Sequence, residues 1–236
     1  MDIFERVLSN INGGRVLDVA TQEGHFIQLL VKNLQSYTQI VGIDIDEDVI
    51  RKAKEVVGDK EIQFFVMNAE HMDISDGSFD TVSISASLHH LRNIQQVLLE
   101  IDRVLKSDGK FIFAEMHRDG QTAAELTSVY LHHWVGDVDS ALGKLHYHTM
   151  SRQELINYIE SLGLSEIKFY DVVDRETDPM NCANIAQLDD LITEVNERAK
   201  RASSYEDLKK RGDELRCRLH ELGVQKEPRI IAIGKK

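Results

Sequence analysis

Apolar residues in the first half of the chain follow two alternating rhythms. Short continuous runs recur in "RVLDVA" (15–20), "QIVGID" (39–44), "EIQFFV" (61–66), "DTVSIS" (80–85) and "KFIFAE" (110–115). Between them, residues 23–35, 46–57 and 93–106 carry apolar side chains at helical spacing, as in Ile94, Val97, Leu98, Ile101 and Leu105. Continuous apolar runs mark strands buried on both faces. Their alternation with amphipathic helices predicts a parallel sheet covered on both sides, an α/β fold.

The second half changes character. Residues 120–148 read as mostly helical. Residues 150–162 read as a helix opened by a Ser151/Glu154 capping box and closed by Gly163. "SEIKFYDVV" and "PRIIAIGK" are the sixth and seventh strands. Between these strands, Ile185, Leu188, Ile192, Val195, Ala199 and Ala202 form one heptad seam, and Tyr205, Leu208, Gly212, Leu215, Leu219 and Leu222 form another. Ser204 with Asp207 reads as a helix N-cap, so two helices joined at "SS" are predicted. One unbroken helix of about 39 residues would leave too little chain to return to the sheet.

At 236 residues and 42% hydrophobic content the chain can build one substantial core. A single domain is expected: a core at about 13–117, a cap segment at about 118–150 and a helical insertion at about 179–226. The net charge of −12 argues against a broad nucleic-acid-binding face. No apolar run approaches the length of a membrane span. Residues 1–14 read as a short amphipathic helix rather than a signal peptide. Cys182 and Cys217 have no metal-like spacing and suit a reducing cytosol, so a cytoplasmic location is expected.

In open parallel sheets, ligands bind at the carboxyl ends of the strands, near the point where strand order reverses. The first strand leads into Asp18 to Gly24, the second into Asp44 and Asp46, and the third into Asn68, Ala69 and Glu70. Ser85, Ser87, His89 and His90 stand after the fourth, and Glu115, Met116 and His117 after the fifth. Asp44 stands about 20 residues beyond the first loop, where an acid can accept from both hydroxyls of a ribose. Asn68 can read an adenine edge or simply make a turn.

These segments together resemble the class I S-adenosylmethionine-dependent methyltransferases, in the type 11 group that includes the ubiquinone and menaquinone biosynthesis methylases. "VLDVATQEG" is similar to their glycine-rich first motif and "VGIDID" to their acidic second. "VMNAEHMDISDGSFDTVSISASLHHL" is similar to the third and fourth, and "EIDRVLKSDGKFIFAE" to the fifth. The resemblance implies a Rossmann-like seven-stranded sheet, mostly parallel with its last strand antiparallel, and S-adenosylmethionine as cofactor. It implies that Asp18 and residues Ala20, Thr21, Gln22 and Gly24 hold the methionine part. Asp44 would hold the ribose, Ile45 would pack on the adenine, Asn68 and the Ala69 amide would meet its edge, and Ser85 would lie beside the sulfonium.

The sequence departs from that pattern where the family carries glycine at the positions of Ala20 and Gln22, and aspartate at that of Asn68. The extra methyl of Ala20 is tolerable if its φ is negative. A positive φ at Gln22 would cost about 1–2 kcal/mol. The reaction class so implied is methyl transfer to a small-molecule acceptor by in-line displacement. A non-catalytic cofactor-binding protein and a nicotinamide-dependent oxidoreductase are the alternatives, the latter opposed by the absence of G-x-G-x-x-G after the first strand. Seven of the ten histidines lie between positions 89 and 148. His89, His117, His146 and His148 are the candidates for a general base in the acceptor pocket. No set of them has a recognised metal-ligand spacing, so no metal site is expected. The heptad hairpin is expected to be a self-packed helical arm or homodimer contact, or else a lid over the acceptor.

Overall fold

A computed structural model of the chain describes residues 3–59, 61–120, 122–174 and 176–236. Met1, Asp2 and Gln121, which fall within the expected N-terminal helix and cap segment, lie outside the described residues. Seven strands form a single sheet in the order β3-β2-β1-β4-β5-β7-β6. They are β1 (Arg15–Val19), β2 (Gln39–Asp44), β3 (Gln63–Val66), β4 (Phe79–Ser85), β5 (Leu105–Met116), β6 (Ser165–Val172) and β7 (Arg229–Lys235). The pairs among β1 to β5 are parallel, whereas β7 runs antiparallel to both β5 and β6. The Rossmann-like α/β fold with an antiparallel last strand is therefore present.

Side-chain alternation along the strands divides the core. Leu17, Val19, Val41, Ile43, Phe111 and Phe113 pack on one face against Val97, Leu98 and Ile101 of α4 (Ile94–Val104) and Leu155 and Ile159 of α6 (Arg152–Glu160). Their neighbours Val16, Ile40, Ile112 and Ala114 pack on the other face. There they meet α1 (Ile3–Leu8), α2 (His25–Asn33) and α3 (Glu47–Val57) through Leu8, Ile27, Leu30, Ile50 and Ala53. The period of two in the strands and 3.6 in the helices is what makes each element present an apolar face to the sheet.

A third core sits beyond the sheet. It joins α5 (Ala123–Ala141) to the hairpin of α7 (Cys182–Ala199) and α8 (Tyr205–Leu222), with Trp134, Ile192, Val195, Ala199 and Leu219 fully buried. Trp134 donates its indole N–H to the Leu208 carbonyl at 2.8 Å. Gly212 is what lets α8 approach, since a Cβ there would lie 2.5 Å from Trp134 Cζ2.

Local expectations fared unevenly. The Ser151/Glu154 capping box is formed, and Asp46 caps α3 through the amides of Asp48 and Val49. Ser204 precedes α8, but its hydroxyl makes no capping bond. The fourth helix ends at Val104, short of the expected 106, because Leu105 already pairs with Phe79 across the sheet. Leu222, expected in the second seam, is exposed at the helix end.

Candidate active site

The reversal of strand order falls between β1 and β4, which flank the loops that hold most of the candidate residues. The loop after β1 is tied down from three sides. Thr21 N donates to the Ile43 carbonyl at 2.9 Å, Gln22 N donates to Asp44 Oδ2 at 3.0 Å, and Ser87 Oγ donates to the Ala20 carbonyl at 2.9 Å. These bonds hold two non-glycine residues in the left-handed region: Ala20 at φ 52° and Gln22 at φ 50°. The negative φ that would have made Ala20 easy to accommodate is thus corrected, and Gln22 carries the strain foreseen for it. Such strain persists only where surrounding contacts over-determine it. Gly24 is at φ 79°, and a Cβ on it would fall 2.7 Å from Val57 of α3. It is the one loop position where no side chain fits.

Asp18 lies beneath this loop, 1% exposed, accepting from Thr21 Oγ1 at 2.6 Å and Ser83 Oγ at 2.7 Å. Burial pushes its carboxyl up to about 6, against the pull of those two hydroxyls. Gln22 turns its side chain across the gap between strands. Its Nε2 donates to the Ala86 carbonyl at 2.7 Å and lies 3.4 Å from Ser87 Oγ, so the loops after β1 and β4 are latched together.

The neighbouring residues suit a nucleoside with an anionic tail. Asp44 accepts from the Gln22 and Asp46 amides, one on each oxygen, which leaves lone pairs on both oxygens. Ile45, next in sequence, is 69% exposed, an uncovered apolar side chain of the kind a planar base covers. The first turn of α2 has no side-chain cap and no acidic residue, so its amides and the positive end of its dipole are free to meet a carboxylate. Asn68 is exposed, and its Oδ1 accepts from the Glu70 amide at 2.9 Å, which fixes the turn beside buried Ala69. Ser85 ends β4, and its carbonyl lies 2.6 Å from Ser87 Oγ, sharing that hydroxyl's single proton with the Ala20 carbonyl.

The candidate histidines separate. His89, on the 3-10 turn Leu88–His90, and His146 come together with His90 and His132, with ring centroids 4.2–5.4 Å apart. His132 then meets His133 edge-on at 6.4 Å, and His133 stacks on His148 at 4.2 Å. His117 stands apart from this row, 4% exposed, its Nδ1 3.8 Å from Asp119. His148 is partly open and bonded to Asp137 at 2.8 Å. Burial and neighbouring rings lower His90 and His133 to about 4 and His132 to about 2, which keeps these imidazoles neutral at pH 7.

Some roles could not be assigned from sequence. Glu115 was recognisable only as an acid at a strand end. It is 2% exposed, accepts from the Ser87, Leu88 and Met116 amides, and so shapes the turn that carries His89. Ser83 was legible in principle, as a polar residue inside the apolar run of β4. His132 lies in a histidine-rich stretch, but nothing local sets it apart from His133.

Residues 17–113 match the family described as "Methyltransferase domain". Over 124 residues the chain is 32% identical to the ubiquinone/menaquinone biosynthesis C-methyltransferase UbiE of Rickettsia felis, covering 50% of each chain. Over 107 residues it is 33% identical to the UbiE of Geotalea uraniireducens, covering 44% of this chain and 46% of that one. The chain therefore spans about half the length of the curated relatives it matches. Among solved structures, the YcgJ protein of Bacillus subtilis superposes with a TM-score of 0.57 at 18% identity, covering 99% of this chain and 96% of that one. Phosphoethanolamine N-methyltransferase 2 of Haemonchus contortus, solved with phosphomonomethylethanolamine and S-adenosylhomocysteine, superposes with a TM-score of 0.57 at 15% identity, covering 98% of this chain and 51% of that one. At those identities the structural likeness concerns the fold.

Proposed function

We propose, from the match of residues 17–113 to the methyltransferase domain family, that the chain transfers a methyl group from S-adenosylmethionine to a small-molecule acceptor. The observation that carries this reading is the joint setting of three features on one sheet edge: the Asp44 carboxylate, the uncovered Ile45 beside it, and the uncapped start of α2. Together they offer a ribose acceptor, a face for adenine and a carboxylate site in the order such a cofactor needs.

In this reading Asp44 accepts from the ribose hydroxyls and Ile45 packs on the base. Asn68 and the Ala69 amide meet the base edge. Asp18 anchors the loop that receives the amino-acid end through Ala20, Thr21, Gln22 and Gly24, and Ser85 lies beside the reacting centre. The cofactor supplies an electrophilic methyl when bound. The remaining work of the protein is to hold the acceptor in line with the bond that breaks and to exclude water. Residues 118–150 and the 179–226 insertion serve as the acceptor cap, and His89, His117, His146 and His148 are the groups available to take a proton there. The hairpin also offers a face to a second copy of the chain. The acidic charge speaks against nucleic acid as substrate. Among the described residues no helix is long and apolar enough to cross a membrane; a cytoplasmic location is the reading supported by the two free thiols Cys182 and Cys217, which suit a reducing compartment.

Calorimetric titration with S-adenosylhomocysteine and with S-adenosylmethionine tests the reading. Micromolar binding of both is expected. Asp44→Ala should weaken it about 10–100-fold, the worth of one or two hydrogen bonds to a charged acceptor. A folded protein that binds neither compound would sink the proposal.

A further inference from the structure

The histidine row contains a site that chain spacing did not reveal. One nitrogen each from His89, His132 and His146 lie within 4.8 Å of one another. Two of them, His132 Nε2 and His146 Nε2, are 3.3 Å apart. Tetrahedral zinc with Zn–N bonds of about 2.0–2.1 Å holds its nitrogens about 3.3 Å from each other. The spacing of that pair is therefore already the edge of a coordination tetrahedron, and the third ring has a short distance to close.

The groups behind the rings agree. His146 Nδ1 lies 2.9 Å from Asp139 Oδ2. A carboxylate only accepts, so His146 donates from Nδ1 and its Nε2 lone pair faces His132. Arg198 also pairs with Asp139 and fixes its direction. His89 repeats the arrangement: its Nδ1 faces Glu115 Oε1 at 3.6 Å, too long for a hydrogen bond, and has no other partner although the residue is 2% exposed. A small turn of the His89 ring would close that gap. Two of the three imidazoles thus have a carboxylate behind Nδ1, the usual outer support of a metal-binding histidine.

We propose that His89, His132 and His146 bind one divalent transition ion, zinc by preference, and leave its fourth position to a protic heteroatom of the methyl acceptor. Three histidine ligands with an open position are a catalytic rather than a structural zinc set. His132 alone of the three is not fully buried, so ligands can reach the ion from its side. The site adjoins the cofactor loop: His89 lies two residues beyond Ser87, whose hydroxyl bonds the Ala20 carbonyl. His89 and His146 then serve as ligands and not as bases, and a coordinated hydroxyl or thiol gives up its proton to solvent more readily. Its lone pair then forms the bond to the methyl carbon, while the carbon–sulfur bond of the sulfonium breaks with its electrons left on sulfur. The acceptor class rests on the methyl-transfer reading above, whereas the ion site does not.

The test uses the whole chain, freed of metal by chelation and with no cofactor added, titrated with Zn2+ or Co2+ alone. One ion per chain and the intense visible bands of tetrahedral Co2+ are expected. His132→Gln should abolish them, and Asp139→Asn, which keeps all three ligands, should weaken binding about 10–100-fold. His220→Gln, on α8 outside the row, should leave binding unchanged, and a far-UV spectrum of His132→Gln that matches the parent guards against a general loss of fold. Thiocyanate or 2-mercaptoethanol should shift the Co2+ spectrum by entering the open position. No bound ion, or binding that survives His132→Gln, overturns the site. A spectrum indifferent to both probes overturns the role in acceptor binding. Neither result bears on the S-adenosylhomocysteine titration, so the two proposals fail separately.

Discussion

Replacing Gln22 by glycine separates what this residue does to the fold from what it does to the ligand. Three terms act on stability. The residue sits at φ 50°, and relieving a left-handed non-glycine conformation returns about 1–2 kcal/mol. Glycine loosens the unfolded chain, which costs about 0.4–1 kcal/mol. The bond from Gln22 Nε2 to the Ala86 carbonyl at 2.7 Å is lost, worth about 0.5–1.5 kcal/mol net. The terms sum to between about −1.5 and +1 kcal/mol, so the melting temperature should move by no more than a few degrees. Ligand binding should respond differently. The side chain latches the loop after β1 to the loop after β4, and a cofactor lying between these loops has to break that latch. The variant has no latch to break, so it should bind S-adenosylhomocysteine about 2- to 10-fold more tightly by calorimetry. Ala20→Gly is the control, since it relieves φ 52° without touching the latch. It should raise stability by up to about 1.5 kcal/mol and leave affinity unchanged. Weaker binding by Gln22→Gly would refute the reasoning, because it would mean that the side chain contacts the ligand instead of blocking it.

Two further outcomes are expected from the packing. The folded protein holds a proton on Asp18 up to about pH 6, against an ordinary value of 3.8. Folding therefore loses stability as pH rises through about 4 to 6, by at most about 3 kcal/mol. Asp18→Asn should be more stable relative to the parent at pH 7 than at pH 4 in urea titrations, and a difference independent of pH would contradict the burial argument. Gly212→Ala places a methyl 2.5 Å from Trp134 and should cost about 1–3 kcal/mol by overpacking. Thermal melts that match the parent would show that α8 can shift without loss.

The order of strands and helices was legible in the chain because buried strands and amphipathic helices impose different periods on apolar residues. The positions of Asp18, Asp44, Gly24 and Ser85 at or just after strand ends were legible too, because the period of the apolar runs fixes where β1, β2 and β4 stop. The helical hairpin could be read from two heptad seams. What contacts decide was not legible. Ala20 adopts φ 52° because hydrogen bonds from Ser87 and around Thr21 and Gln22 hold the loop, whatever alanine prefers alone. Gln22 could be seen as a misplaced side chain, but its reach to Ala86 depends on how close β4 lies to β1. The histidines make the distinction clearest. His89, His132 and His146 belong to a strand-end turn, a helix and a loop, and their separations along the chain match no ligand motif. Only tertiary contacts such as the Tyr147 amide donating to the His89 carbonyl at 2.7 Å bring their nitrogens together, because side-chain distances across elements leave no period in the sequence.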